Sequence, residues 1–188
     1  MPREKLFCKE EALTKAMELF WEKGYSSTSL SDLTNHLGIG KGSFYATFNS
    51  KQELFEAAFD LYRYTKIELL EQLLNSEPNV KIGLSKILEL NLEELLSDNK
   101  HKGCFIANTC SELSGANKIL REKLEDHDSI FQKMLINYMR RGKVSPKKAE
   151  SVAATITTFL MGMNQQAKFK KDKKSYMSSI KHLVGLLD

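Results

Sequence analysis

The segment from Gly40 to Lys51 has residue types suited to contacts with a nucleic acid. Small residues at Gly40, Gly42 and Ser43 let a backbone approach a duplex closely, and the N–H groups of a helix N-terminus favour a phosphate. Lys41 can donate hydrogen bonds to guanine in the major groove. We therefore predict that Lys41, Gly42 and Ser43 read base edges.

A second group of residues is suited to the phosphate backbone, which hydroxyl and ammonium groups contact without reading its sequence. These residues lie at the start of one expected helix and along or just after the next. The candidates are Ser27, Thr28, Ser29, Tyr45, Thr47 and Lys51. For Tyr45 the alternative is a core aromatic with its hydroxyl in water, because Phe44 and Phe48 on either side of it are expected to face inward.

Two short helices joined by a tight turn would position both groups. Ser29 can cap the first helix, and Asp32 follows at the spacing of a capping box, with Asp in place of Glu or Gln. Leu33 and Leu37 recur at helical spacing, and Gly38 follows where a left-handed residue ends a helix. This layout predicts a helix-turn-helix, which places its second helix in the major groove of DNA. The alternative is a plain helical hairpin in an all-α protein.

The motif and its flanks resemble the N-terminal domain of the TetR family of bacterial repressors over about residues 10–60. One position departs from the family, because Thr47 stands where a His is often found; a threonine hydroxyl could contact the phosphate instead. The residues that carry the resemblance are Phe20, Gly24, Tyr25, Thr28, Ser29, Leu33, Gly38, Ile39, Lys41, Gly42, Ser43, Phe44, Tyr45, Phe48, Lys51, Leu54 and Phe55.

The resemblance implies an all-α fold with two domains. A three-helix DNA-binding domain would occupy residues 1–50, and a larger helical domain for ligand binding and dimerisation would occupy residues 51–188. It also implies a repressor that binds a palindromic operator in double-stranded DNA. A small-molecule effector would release it by favouring a state in which the two DNA-reading heads are wrongly spaced.

Composition agrees with a folded regulator but does not identify DNA binding. The chain is 41% hydrophobic and has a net charge of +4, yet residues 1–52 hold seven Lys or Arg against six Asp or Glu. It has no run of about 18 apolar residues and no apolar signal core at its start. We therefore expect no contact with a membrane and a cytoplasmic location. The basic stretch at 168–174 is expected to be a solvated loop.

The helix that starts at Ser145 and Pro146 is apolar nearly all round, which is typical of a buried helix. A last helix could lie beside it. We predict a homodimer through helices at about 146–164 and 172–187, since palindromic operators call for two-fold symmetry. The alternative is that both are ordinary core helices.

An effector site in the second domain would combine polar groups with adaptable apolar walls. Each candidate could equally be ordinary packing. The candidates are Tyr62, Cys104, Asn108, Thr109, Glu112, Met134, Tyr138 and Met161.

Cys104 suggests an alternative way of sensing. Three cysteines without a Cys-x-x-Cys pair argue against a disulfide scaffold and against a zinc site. Cys104 follows Lys102 and Gly103 near an expected helix start, where a thiolate is favoured. The segment also resembles that of family members that sense electrophiles. The alternative function is therefore a thiol-based redox or electrophile sensor.

Neither an enzyme nor a cofactor is predicted. The four histidines are scattered, and the acidic cluster around His127 places adjacent residues on different sides of a helix. No glycine-rich phosphate loop or nucleophile elbow occurs. An architectural DNA-binding protein is a more distant alternative, against which the large apolar second domain argues.

Overall fold

The computed structural model describes residues 8–187, and within that range the chain forms nine α-helices and no strand. The predicted all-α class is confirmed. None of these helices is long and apolar enough to cross a membrane. Their bounds are α1 Lys9–Lys23, α2 Leu30–Leu37, α3 Lys41–Phe48, α4 Lys51–Ser76, α5 Val80–Ser97, α6 Phe105–Leu113, α7 Lys118–Arg141, α8 Pro146–Gln166 and α9 Lys173–Gly185.

The helices form two compact units, one ending at Tyr64 and the other beginning at Thr65, so the division falls inside α4. Residues of the first half of α4 belong to the core of the first unit; the rings of Phe20 and Phe55 meet edge to face with centroids 5.0 Å apart. The functional boundary expected between residues 50 and 51 stays a prediction. The fully buried large side chains of this first core are Phe20, Leu33, Phe44, Leu54, Phe55 and Phe59.

The second unit has a core of its own, built from α5, α7, α8 and α9 with the end of α4 packed against it. The helical spacing of apolar residues predicts that Leu69 and Ile82 face inward, but their side chains are 43% and 47% exposed. Gly83, next to Ile82, is the residue that packs inward. A Cβ atom at Gly83 would lie 2.1 Å from the hydroxyl oxygen of Tyr138, so only a glycine fits there.

Candidate functional site

The predicted capping of α2 is present. Ser29 Oγ accepts from the backbone N–H of Asp32 at 3.0 Å, and Asp32 Oδ2 accepts from the N–H of Ser29 at 2.9 Å. Gly38 ends the helix in the left-handed conformation, with φ at 67°, which glycine adopts without steric cost. Helices α2 and α3 are therefore separated at Gly38, the position that the sequence indicated.

Electrostatics strengthen this start of α2. The Lys23 ammonium lies 2.9 Å from Asp32 Oδ1, which joins the end of α1 to the first turn of α2. The Ser29 hydroxyl and the Lys23 ammonium both donate to the carboxylate and hold the pKa of Asp32 well below its usual range. A negative charge at this position also suits the helix dipole.

Helix α3 presents one buried and one exposed face. Phe44 and Phe48 are buried in the core, as expected from their spacing. Tyr45 is 51% exposed, so it is not the core aromatic of the alternative interpretation. The other exposed residues at the start of this helix are Lys41, Gly42 and Ser43.

The N-terminus of α3 is open. Gly40 is its N-cap and no side chain caps the helix there. A Cβ atom added at Gly40 or Gly42 would meet nothing within 4 Å. The first-turn N–H groups of α3 therefore face no bulky neighbour, which is the arrangement that binds a phosphate.

One predicted phosphate contact is wrong. Thr28 is fully buried, and its hydroxyl donates to the carbonyl oxygen of Gly24 at 2.6 Å. The hydroxyl thus provides a hydrogen-bond donor for the carbonyl oxygen of Gly24, the residue that ends α1 with φ at 83°. The Thr28 hydroxyl is therefore not available at the surface. Sequence spacing could not show this, because Thr28 stands among polar residues, two of which, Ser27 and Ser29, are exposed.

Other hydroxyl and ammonium candidates are partly engaged. The Thr47 hydroxyl donates to the carbonyl oxygen of Ser43 at 2.8 Å, which leaves its lone pairs rather than its proton for a ligand. The Ser29 hydroxyl donates to Asp32 at 2.6 Å. The Lys51 ammonium lies over the ring of Tyr25, 4.2 Å from its centroid. This cation–π contact holds the Lys51 ammonium beside the ring of Tyr25.

Asn49, which was not among the residues singled out from the sequence, ends α3. Asn49 has φ at 57°, and its side-chain amide donates to Glu53 Oε2 at 2.7 Å. Ser50 then caps α4, since Ser50 Oγ accepts from the N–H of Glu53 at 3.0 Å. Asparagine tolerates positive φ better than most residues, and this signal could have identified the turn.

In the second unit, two candidate effector residues carry buried oxygen atoms without a protein partner. The amide nitrogen of Asn108 donates to the carbonyl oxygen of Lys102 at 2.7 Å, but its Oδ1 has no partner. Thr109 is 1% exposed and its hydroxyl has no partner. Buried polar atoms are normally hydrogen-bonded, so these two call for a water or a ligand.

The other effector candidates lie apart. Tyr62 belongs to the first unit, where its ring meets Trp21 edge to face at 5.1 Å. The Tyr138 hydroxyl lies 2.7 Å from the carbonyl oxygen of Glu77, which binds α7 to the connection between α4 and α5. Glu112 is on the surface and Met161 is 36% exposed. Met134 lines a groove between α4 and α7.

Gln165, which no sequence pattern indicated, joins α8 to α6. Its amide nitrogen lies 2.8 Å from the carbonyl oxygen of Ala107 and 2.8 Å from the hydroxyl of Ser111. Cys104 is the half-buried N-cap of α6, and neither Cys104 nor Cys110 forms a disulfide within the described residues.

Helix α8 is not buried on all sides within one chain. Ile156 and Met163 face the core, whereas a row of small and apolar residues faces outward. Part of the exposed side of α9 adjoins it across a groove of about 480 Å³ lined by Thr155, Phe159 and His182 among others. The outward residues of α8 include Ser151, Ala154, Thr155, Thr158, Met161 and Gly162.

Comparison with known families matches both units. Residues 12–58 match the bacterial regulatory proteins of the tetR family. Residues 82–179 match the C-terminal domain of LmrA/YxaF-like transcriptional regulators. Together the two matches include α2, α3 and most of the second unit.

Individual relatives agree. The chain is 31% identical to the HTH-type transcriptional repressor ComR of Escherichia coli over 88% of this chain and 82% of ComR. It is 23% identical to the repressor BdcR of the same organism over 88% and 82%. Both relatives are named as repressors, and neither name refers to thiol sensing.

Solved structures share the fold. A cysteine mutant of the TetR family regulator CifR, complexed with 26-base-pair operator DNA, superimposes with a TM-score of 0.84 at 25% identity, covering 97% of this chain and 98% of the other. The reduced form of Escherichia coli NemR gives 0.81 at 21% identity, covering 93% and 94%. Because both units match family models and the repressor ComR is 31% identical over most of its length, the chain belongs to the TetR family of transcriptional regulators.

Proposed function

We propose that this protein represses transcription by binding a palindromic operator as a homodimer and that a small-molecule effector releases it. The exposed start of α3 above the buried Phe44 and Phe48 carries this proposal. A rigid core beneath exposed Lys41, Gly42 and Ser43 is what a recognition helix needs to enter the major groove. The relatives ComR and BdcR are repressors, and CifR was solved on operator DNA.

The exposed groups of the DNA-binding surface divide into residues that contact bases and residues that contact phosphates. Lys41 donates to guanine, while Gly42 and Ser43 allow close approach of the backbone. Tyr45 and Lys51 contact phosphates, together with Ser27 and the N-terminus of α2 at Ser29. Thr47 joins them when its hydroxyl turns from the carbonyl oxygen of Ser43 and donates to a phosphate oxygen instead. The open N-terminus of α3 adds main-chain donors.

Dimerisation uses the outward faces of α8 and α9. Small residues such as Ala154, Thr158 and Gly162 let two helices approach closely, and the partly exposed Phe159 and Met161 supply apolar area. A two-fold arrangement of these helices presents two recognition helices to two half-sites, which gives the operator its palindrome.

The second unit takes the effector. Asn108 and Thr109 support a polar contact there because their buried oxygen atoms lack protein partners. An effector that binds the wrongly spaced state better than the operator-bound state weakens DNA binding by the ratio of its two affinities. The protein needs no catalytic group for this, and it would act on the DNA of a bacterial cytoplasm.

Selection from randomised double-stranded DNA with the full-length protein tests the proposal. We expect one palindromic sequence to be enriched and to bind at least a thousandfold more tightly than random DNA at the same salt concentration. Binding without sequence preference would contradict the proposal and favour an architectural protein.

A further inference from the structure

An open groove runs between the end of α4 and the second half of α7 in the second unit. Its volume is about 800 Å³, within the range of about 300–1,000 Å³ that is usual for small-molecule sites. Each helix contributes one face, with residues spaced three or four apart. Met134 is the only one of the predicted effector residues among its lining residues.

The groove is apolar at one end and cationic at the other. Arg141 Nη1 donates to Asn75 Oδ1 at 3.0 Å, so the C-terminal parts of both helices meet at the same end. Arg140 and Arg141 lie at that end. Ile67 and Ile130 lie eight and eleven residues earlier on their helices, about 12 and 16 Å away at 1.5 Å per residue.

The charges of the groove are unbalanced. Three cations line it, Lys133, Arg140 and Arg141, against the single carboxylate of Glu71. The side chains of Lys133 and Arg140 have no hydrogen-bond or ion-pair partner among residues 8–187. An anion placed at this end would be held by charge-assisted hydrogen bonds, and an arginine can form two of them to one carboxylate.

We propose that this groove binds an amphiphilic carboxylate, with its apolar chain along Ile67, Ile130 and Met134 and its carboxylate at Arg140 and Arg141. The flexible thioether of Met134 can adapt to a chain of varying shape. The inference rests on the proposed function, because it places the effector of the repressor in this groove and gives the effector its chemical class.

Calorimetric titration of the full-length protein with decanoate tests the inference. Acetate carries the same head without the chain, and decyltrimethylammonium carries the same chain with a cationic head. We expect decanoate to bind at least tenfold more tightly than either. Equal binding of the cationic amphiphile would overturn the inference, since the groove would then select only for an apolar chain.

Charge reversal locates the site. R140E and K133E change exposed side chains without a protein partner, and R121E makes the same change on an exposed arginine of α7 outside the groove. We expect R140E, at the carboxylate end, to weaken decanoate binding at least tenfold, K133E, one turn from Ile130, to weaken it less, and R121E to leave it within twofold. Unchanged decanoate binding in both groove variants would overturn the inference.

Operator binding without decanoate separates the two proposals. R140E is expected to bind the selected operator as the unaltered protein does, with an unchanged melting temperature. A protein that binds decanoate through Arg140 but selects no operator would overturn the proposed function and leave the groove assigned. A protein that binds its operator but does not distinguish decanoate from the cationic amphiphile would overturn only the groove.

Discussion

Ser29 and Asp32 cap helix α2 reciprocally: the backbone N–H of each donates to the side chain of the other, at 2.9 and 3.0 Å. This pair fixes where α2 begins. It therefore also helps to set the position from which the turn at Gly38 leads into α3. Lys23 adds an ion pair at 2.9 Å from the end of α1. The end of α1 and the start of α2 are thus joined at one carboxylate.

The first prediction concerns acid. Because the pKa of Asp32 is lowered in the folded chain, its ionised form adds stability above the ordinary value of about 4, and this contribution is lost as the pH falls toward the folded value. Asp32→Asn should lower the melting temperature of the first unit at pH 7 and lose less on going to pH 3 than the unaltered chain. Ser29→Ala should remove about 1 kcal/mol at pH 7. If the melting temperatures of the unaltered chain and of Asp32→Asn fall by the same amount between pH 7 and pH 3, the result would argue against the cap.

Thr28 should matter for stability rather than for DNA. Thr28→Val leaves the carbonyl oxygen of Gly24 without its hydroxyl donor, so the free energy of unfolding should fall by about 1–3 kcal/mol. Urea denaturation measures this, and Thr28→Ser, which keeps the hydroxyl, is the control. Operator affinity of the folded Thr28→Val protein should stay within twofold. A tenfold loss of affinity with unchanged stability would return Thr28 to the interface.

Lys41 and Tyr45 should act differently on DNA. Lys41→Ala should reduce discrimination between the selected operator and single-base variants by about 1–3 kcal/mol, because a base contact is lost. Tyr45→Phe should weaken every site by about 1 kcal/mol, because a phosphate contact carries no sequence information. Fluorescence anisotropy at one fixed salt concentration compares them. A change of sequence preference in Tyr45→Phe would contradict the assignment.

Gly83 should tolerate no side chain. Gly83→Ala places a Cβ atom 2.1 Å from the hydroxyl oxygen of Tyr138, so α5 or the ring must move, and the second unit should lose about 1–3 kcal/mol. Gly115→Ala is the matched control, because its Cβ atom would meet nothing within 4 Å. Thermal unfolding compares the two. Equal melting temperatures would show that the ring of Tyr138 moves away freely.

The outward face of α8 should hold the dimer together. Ala154→Arg places a charged side chain in the proposed interface and should give monomers in analytical ultracentrifugation, with weaker binding to the palindromic operator. Ala116→Arg makes the same change at an exposed residue between α6 and α7 and should remain dimeric. If Ala154→Arg stays dimeric, the interface lies elsewhere.

Much of the first unit could be predicted from the sequence because its signals are local. Ser29 and Asp32, three residues apart, Gly38 after the last leucine, and the spacing of Phe44 and Phe48 each describe one turn of chain. All these features are present in the structure. The effector candidates could not be sorted in the same way. Tyr62 packs in the first unit, and the hydroxyl of Tyr138 closes on Glu77, 61 residues earlier.

The sequence by itself determined the helices, their caps and the identity of the motif, since hydrogen bonds within a turn and the periodicity of apolar residues depend on near neighbours. Only the tertiary structure decided which polar groups remain available. It buried Thr28, left the oxygens of Asn108 and Thr109 without partners, and brought Asn75 to Arg141 across 66 residues. Packing between distant helices sets exposure, and no local pattern encodes it.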